Sequence, residues 1–162
     1  MCDDQIQTFR EEEMMNQRED QSTESEVMIM SLNTNNSNYV WVDFTGTDVR
    51  ALHLIDSGAQ VSVLPLKLYN KLPREKQHAK MKSTVKIKAG NGTEIKCFGV
   101  APVEFQFQGM NFVYNMYIVD DSVQPILGYD FLRDAGGSEI SPSANTVKIR
   151  GKQLKLVTSE EV

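Results

Sequence analysis

The chain has 162 residues, of which 40% are apolar, so it can build the core of one ordinary domain but is short for two. No window approaches the roughly eighteen uninterrupted apolar residues of a membrane helix, so we expect no membrane partner. The two cysteines, Cys2 and Cys97, are too few for a disulfide framework and lack metal-site spacing, which predicts a cytoplasmic protein without metal or cofactor.

The net charge of −5 is unevenly distributed along the chain. Residues 1–30 carry nine acidic and two basic side chains, whereas the remainder carries thirteen acidic and fifteen basic ones. Residues 1–37 are also rich in Gln, Asn, Ser and Thr, and such a segment buries too little surface to offset its chain entropy. We predict a mostly disordered, acidic leader or linker over 1–37, with a short helix at Gln5–Gln17 and a brief strand at Val27–Leu32 as local alternatives.

Ordered structure is predicted to begin at Asn38. Two β-rich runs, Tyr39–Phe44 and Val49–Ile55, flank a turn cluster and predict a hairpin that ends at a carboxylate, Asp56. A third apolar run, Val61–Leu64, ends at Pro65. An acid at the end of a buried strand is costly unless it is paired or neutralised, so Asp56 is a candidate functional residue. A D-S-G sequence alone is equally typical of a plain turn.

The segment after Pro65 changes character. Pro65–Leu72 predicts a short helical turn that Pro73 ends. Between Lys67 and Lys88 there are eight basic residues and one acid, Glu75. A nucleic-acid patch is one interpretation, but with Tyr69 as the only nearby stacking ring we favour a solvated surface and expect no nucleic-acid partner.

The remaining pattern consists of short strands. Thr84–Gly99 predicts a hairpin with Asn91-Gly92 at its tip, and Val100–Gln108 with Asn111–Val119 predicts another. A strand end then runs into a short helix after Gly128, and two final strands follow. We therefore predict an all-β, barrel-like or sandwich domain over residues 38–158 with one or two short helices, and a frayed end at 159–162.

Two separated motifs carry a family resemblance. L-I-D-S-G-A-Q-V-S-V-L-P at Leu54–Pro65, followed seventy residues after Asp56 by I-L-G-Y-D-F-L at Ile126–Leu132, resembles the retropepsin aspartic proteases. The pattern is most similar to proteases of gypsy-type LTR retrotransposons or a domesticated relative. The resemblance implies an acid-protease barrel with one active-site turn per chain. The second catalytic aspartate would then come from another copy, which makes the active enzyme an obligate homodimer.

The resemblance also implies roles for individual residues. Asp56, Ser57 and Gly58 would form the catalytic turn, and Gly90–Gly92 would be the tip of a flap. The residues expected to contact an extended peptide or polyprotein substrate are Leu54, Ala59, Gln60, Val63, Ala89, Gly90, Asn91, Gly92, Gln124 and Ile126. Gly128 would let the chain pass close behind the turn, and Asp130 would be structural.

The chain departs from the retroviral members at two places. Gln60 replaces an aspartate, and A-G-N-G-T replaces a flap rich in Gly and Ile. D-S-G-A-Q is also similar to the retropepsin domains of eukaryotic ubiquitin-shuttle proteases, which we rank below the retrotransposon interpretation. Two further alternatives are an inactive retropepsin-fold module for dimerisation or peptide binding, and a phosphorylation-dependent D-S-G motif.

Overall fold

The computed structural model describes residues 25–29, 38–78, 82, 85–136, 140–141 and 144–157. Over these residues it contains twelve strands, two short α-helices and a 3₁₀ turn at Arg74–Lys76. The strands are β1 (Ser25–Ile29), β2 (Tyr39–Phe44), β3 (Arg50–Asp56), β4 (Val63–Pro65), β5 (Val85–Ala89), β6 (Glu94–Ile95), β7 (Cys97–Phe107), β8 (Met110–Val119), β9 (Ile126–Gly128), β10 (Ile140–Ser141), β11 (Thr146–Ile149) and β12 (Lys152–Lys155). The helices are α1 (Leu66–Tyr69) and α2 (Tyr129–Asp134).

Six strands close into a barrel in the order β2-β3-β9-β4-β8-β7. The β7–β8 hairpin is the longest pairing and runs from Cys97↔Val119 to Phe107↔Met110. β3 pairs with β9 in parallel and with β2 antiparallel. β7 pairs with both β2 and β8 antiparallel. Closure leaves no free barrel edge, which confirms the predicted all-β barrel with two short helices.

The barrel interior is filled by one apolar cluster dominated by phenylalanine. Alternate residues of β2 and β7 point inward, as the period of two requires. Phe131 of α2 packs edge-on against Phe112 with ring centroids 5.0 Å apart, and Phe105 stacks on the same ring at 5.5 Å. Helix α2 is therefore anchored to the barrel by the aromatic core.

Two three-stranded sheets flank the barrel. One has the order β10-β11-β12 and is joined to the barrel by reciprocal main-chain hydrogen bonds between Tyr39 and Val157. The other has the order β1-β5-β6 and packs over a second apolar cluster on the Asp56 side of the barrel. This second sheet and its cluster cover the strand ends at which the candidate site lies.

Several element boundaries differ from the sequence prediction. The strand predicted at Val61–Leu64 is observed at Val63–Pro65, since the chain still bends at Val61. β10 and the 3₁₀ turn were not predicted. The brief leader strand is observed at Ser25–Ile29, where it pairs with β5, and the alternative helix at Gln5–Gln17 lies outside the described residues.

Candidate active site

Asp56 ends β3 at the mouth of the barrel. It lies opposite Gly128 of β9 in the parallel register, and only 8% of its surface is exposed. Its Oδ1 accepts a hydrogen bond of 2.9 Å from the Gly58 amide, and its carbonyl accepts one of 3.1 Å from Ala59. The D-S-G-A sequence thus forms a tight turn in which the Gly58 amide holds the carboxylate and the Ala59 amide closes the main chain.

The turn fits closely against Gly128. A Cβ at this position would lie 2.5 Å from the Val61 carbonyl oxygen and 2.6 Å from that of Ala59. The next amide, Tyr129 N–H, donates to the same Ala59 oxygen at 2.7 Å. Only glycine permits this approach, so the close passage that the resemblance implies for Gly128 has a direct steric cause.

A buried serine joins the two sequence motifs. Ser62 Oγ donates to Asp130 Oδ1 at 2.7 Å and accepts from the Gly128 amide at 2.9 Å. The same Asp130 oxygen accepts from the Phe131 amide at 2.7 Å. Burial raises the pKa of Asp130, and these hydrogen bonds oppose the rise. The structural role expected for Asp130 is therefore accounted for, but its partner Ser62 was missed, since its only signal was its place within S-V-L-P.

Five of the predicted peptide-contacting residues lie together. They belong to the apolar cluster beneath the β1-β5-β6 sheet and are Leu54, Ala59, Val63, Ala89 and Ile126. Leu127, next to Ile126, belongs instead to the barrel core, as strand alternation predicts. The cluster forms an apolar floor, and its members Leu54 and Ala59 are two and three residues along the chain from Asp56.

The hairpin tip and the turn hydroxyl are exposed. Residues Gly90–Gly92 project into solvent at the end of the β5–β6 hairpin, and Asn91 Oδ1 accepts from the Thr93 amide at 3.0 Å. Gly92 has φ +87°, the left-handed conformation that a hairpin tip of this kind requires. Ser57 is also exposed. Both features therefore remain accessible to a ligand or to a second chain.

Gln60 and Gln124 have different surroundings. Gln60 is exposed and bonds to Met28 of β1 through its main chain and its side chain. Gln124 Oε1 accepts a hydrogen bond of 2.8 Å from the Tyr39 hydroxyl at the start of β2. Gln60 therefore lies beside the apolar floor, whereas the bond to Tyr39 ties Gln124 to the barrel wall.

His53 is a buried titratable group close to the turn. It is fully buried, its ring lies 5.8 Å from that of Phe44, and its Nδ1 lies 3.3 Å from the Ala51 carbonyl oxygen. Burial lowers the pKa of His53 to about 4, and the contact with Ala51 opposes this only in part. The imidazole is therefore neutral near pH 7 and adds no charge beside Asp56.

The described residues offer neither a metal-binding cluster nor a membrane-spanning helix. Over the part of the chain that the structure describes, no group of three or more His, Cys, Asp or Glu side chains could hold a metal ion. Within the same residues, no helix is long and apolar enough to cross a membrane.

Comparison with known proteins identifies similar solved structures. The retroviral protease-like domain of Ddi1 from Leishmania major matches with a TM-score of 0.60 and 16% identity, covering 80% of this chain and 98% of that domain. The EIAV protease, in complex with the inhibitor HBY-793, matches with a TM-score of 0.54 and 28% identity, covering 67% of this chain and 97% of the other. No family model and no curated protein sequence matches. The chain thus has a retropepsin-like fold.

Proposed function

We propose that the chain is an aspartic endopeptidase that acts as a homodimer. Two Asp56 carboxylates, one from each copy, share a proton and activate a water molecule that attacks the scissile peptide carbonyl. Two carboxyl groups ~3 Å apart cannot both ionise, so one serves as the base and the other as the acid. We propose that the chain is a protease of a gypsy-type retroelement or a domesticated relative of one. Its substrate is an extended stretch of polyprotein.

One observation carries the proposal. Asp56 ends a barrel strand on a turn whose amide holds its carboxylate, next to an apolar floor, in a chain with a retropepsin-like fold. A carboxylate at 8% exposure is costly to maintain, and a plain surface turn would not need it. The exposed Gly90–Gly92 tip supports a flap that closes over the peptide.

The dimer follows from the chemistry together with the sequence. The mechanism needs two carboxylates, and the chain contains a single D-S-G sequence and no D-T-G. Two-fold symmetry would bring the two Asp56 turns face to face, so each site would be incomplete in one copy. Activity should therefore depend on protein concentration.

The test compares the full-length chain with Asp56→Asn on a library of peptides with apolar residues on both sides of the cut. Asp56→Asn keeps the shape of the side chain and removes the acid, so cleavage should fall at least about a thousandfold if the carboxylate is essential. Asp48→Asn is the matched control, because Asp48 is an exposed carboxylate on a neighbouring turn. Cleavage that persists in Asp56→Asn contradicts the mechanism.

A mixing experiment tests the shared site. Adding excess Asp56→Asn chain to a fixed amount of wild type should abolish activity, because wild-type copies are drawn into mixed dimers with one carboxylate. Excess Asp48→Asn should not reduce it. Undiminished activity in the Asp56→Asn mixture would mean that one chain suffices, and a catalytically inactive module would show no activity in any mixture.

A further inference from the structure

Strand β1, from the acidic leader, lies between two parts of the proposed site. On one side it pairs in parallel with β5 over its full length, from Ser25↔Val85 to Ile29↔Ala89. On the other side Ile29 forms an antiparallel bridge with Ala59, three residues after Asp56. A single extended segment therefore fills the space between the flap hairpin and the catalytic turn.

Gln60 forms two hydrogen bonds with the main chain of β1, one to the carbonyl and one to the amide of Met28. The Gln60 amide donates to the Met28 carbonyl at 3.0 Å, and Gln60 Oε1 accepts from the Met28 amide at 2.6 Å. These bonds use only the backbone of residue 28, so they would be available to any extended peptide in the same position. Proteins that bind peptides as added strands obtain affinity from such main-chain bonds.

The side chains of β1 alternate between the apolar floor and solvent. Ile29 is fully buried in the same cluster as Leu54, Ala59 and Ile126, and half-buried Val27 packs against that cluster. Glu26 lies on the outer side. Three of the residues predicted to contact substrate, Leu54, Ala59 and Ile126, thus share their apolar cluster with the chain's own Ile29.

The register of β1 points toward the carboxylate. Met28 contacts Gln60 and Ile29 bridges to Ala59, so each step forward along β1 moves one residue back along the turn toward Asp56. β1 thus runs antiparallel to residues 59–60 in the direction of the catalytic turn, and Ile29 lies beside Ala59.

Charge also favours this placement. Glu26 Oε1 lies 3.3 Å from Lys88 Nζ of β5. Glu26 belongs to the acidic part of the chain, and Lys88 ends the Lys67–Lys88 segment, in whose sequence basic residues predominate eight to one. The attraction is between exposed groups, so it guides docking and contributes little to the stability of the docked strand.

We propose that Ser25–Ile29 is a self-peptide that occupies the substrate groove and competes with peptides supplied in trans. The groove accepts an extended strand with apolar side chains at the two positions of Val27 and Ile29, parallel to β5 and antiparallel to residues 59–60. This rests on the proposed function in taking the groove beside Asp56 to be the peptide site. A tethered occupant competes at an effective concentration of about a millimolar. The apparent affinity for an external peptide is therefore the intrinsic affinity multiplied by the fraction of chains in which β1 is released.

The test measures peptide binding without catalysis. The probe is a fluorescein-labelled peptide with the sequence of residues 24–31, E-S-E-V-M-I-M-S, and its anisotropy is followed on the full-length Asp56→Asn chain. Ile29→Asp in that background removes the apolar anchor of β1 and should tighten probe binding by at least about tenfold. Asp48→Asn, which changes an exposed carboxylate outside β1 and the groove, is the control and should leave binding unchanged. A probe carrying Asp in place of its isoleucine should not bind.

Amide hydrogen exchange gives a second, independent measurement. The Gln60 N–H should lose protection in Ile29→Asp, whereas the Ala59 N–H, bonded to Asp56, should keep it. Ile29→Ala tests the same point without adding a charge if the aspartate variant does not fold. Equal probe affinity in the parent chain and in the folded Ile29 variant, or an unchanged Gln60 N–H, would show β1 to be a fixed structural strand.

The two proposals can fail separately. If Ile29→Asp with Asp56 restored binds the probe tightly but cleaves nothing, the endopeptidase proposal is wrong and the self-peptide proposal stands. If the chain cleaves peptides but Ile29→Asp changes neither affinity nor rate, the self-peptide proposal is wrong.

Discussion

His53 should make the stability of the domain depend on pH in a defined window. Its folded pKa of about 4 lies below its ordinary value of 6.5, so the unfolded chain binds a proton more readily than the folded one. Stability is therefore fully present above about pH 6.5 and is lost as the pH falls toward about 4. Protonation of the unfolded state should cost about 2 kcal/mol at pH 5 and about 3 kcal/mol at pH 4.

The measurement is urea denaturation of the full-length chain at several pH values from about 7.5 to 4. His53→Leu replaces the imidazole by an apolar side chain and should remove this component of the pH dependence. The difference between the two proteins cancels the carboxylate contributions that both share. His78→Leu is the control, because the chain has only two histidines and His78 is exposed.

Parallel curves of stability against pH for wild type and His53→Leu would contradict this prediction. If wild type and His53→Leu lose stability equally between about pH 6.5 and 4, the imidazole is already able to take up a proton in the folded state. If His78→Leu, and not His53→Leu, removed this part of the pH-dependent loss of stability, the effect would belong to His78.

Three further predictions concern the framework of the site, each measured by denaturant midpoint. Gly128→Ala should cost about 3 kcal/mol or more of unfolding free energy, because the added Cβ would meet backbone oxygens at 2.5 and 2.6 Å. Gly109→Ala is the control and should cost only about 1 kcal/mol, because Gly109 has open space around it and only its φ of +81° disfavours alanine. Equal losses would contradict the steric argument. Ser62→Ala should cost about 2 kcal/mol, since it leaves the Gly128 amide and the Asp130 carboxylate without their hydroxyl partner; a neutral effect would exclude the brace. Phe131→Ala should cost about 3–5 kcal/mol through the cavity it opens among the core rings, and a loss below about 1 kcal/mol would argue against α2 as part of the core.

The functional question turns on one carboxylate and one strand. In the two proposals, Asp56 supplies the chemistry and β1 limits how readily a peptide reaches it. The two can be separated experimentally because Asp56→Asn removes the acid, whereas Ile29→Asp changes only the strand beside it.

The sequence alone predicted the barrel and the position of the candidate carboxylate. Alternating apolar residues in Tyr39–Phe44 and Val100–Gln108 specify strands, and Asn91-Gly92 specifies a hairpin tip, because side-chain period and turn conformation are local properties. The β-rich run Val49–Ile55 indicated that Asp56 would end a strand, and the order of the D-S-G-A and I-L-G-Y-D-F-L motifs indicated a retropepsin-like barrel. These features are confirmed where they concern the fold, and the roles of the site residues stay predictions.

The surroundings of the carboxylate depend on contacts between residues that are far apart in the chain. The Ser62–Asp130 hydrogen bond joins residues 68 positions apart, and the bond from the Met28 amide to Gln60 joins residues 32 positions apart. No local pattern encodes such pairs, because they form only after the barrel has brought the two motifs together and left a strand-shaped space beside β5. For the same reason the sequence could allow a brief strand within the leader but could not place it in the groove beside Asp56.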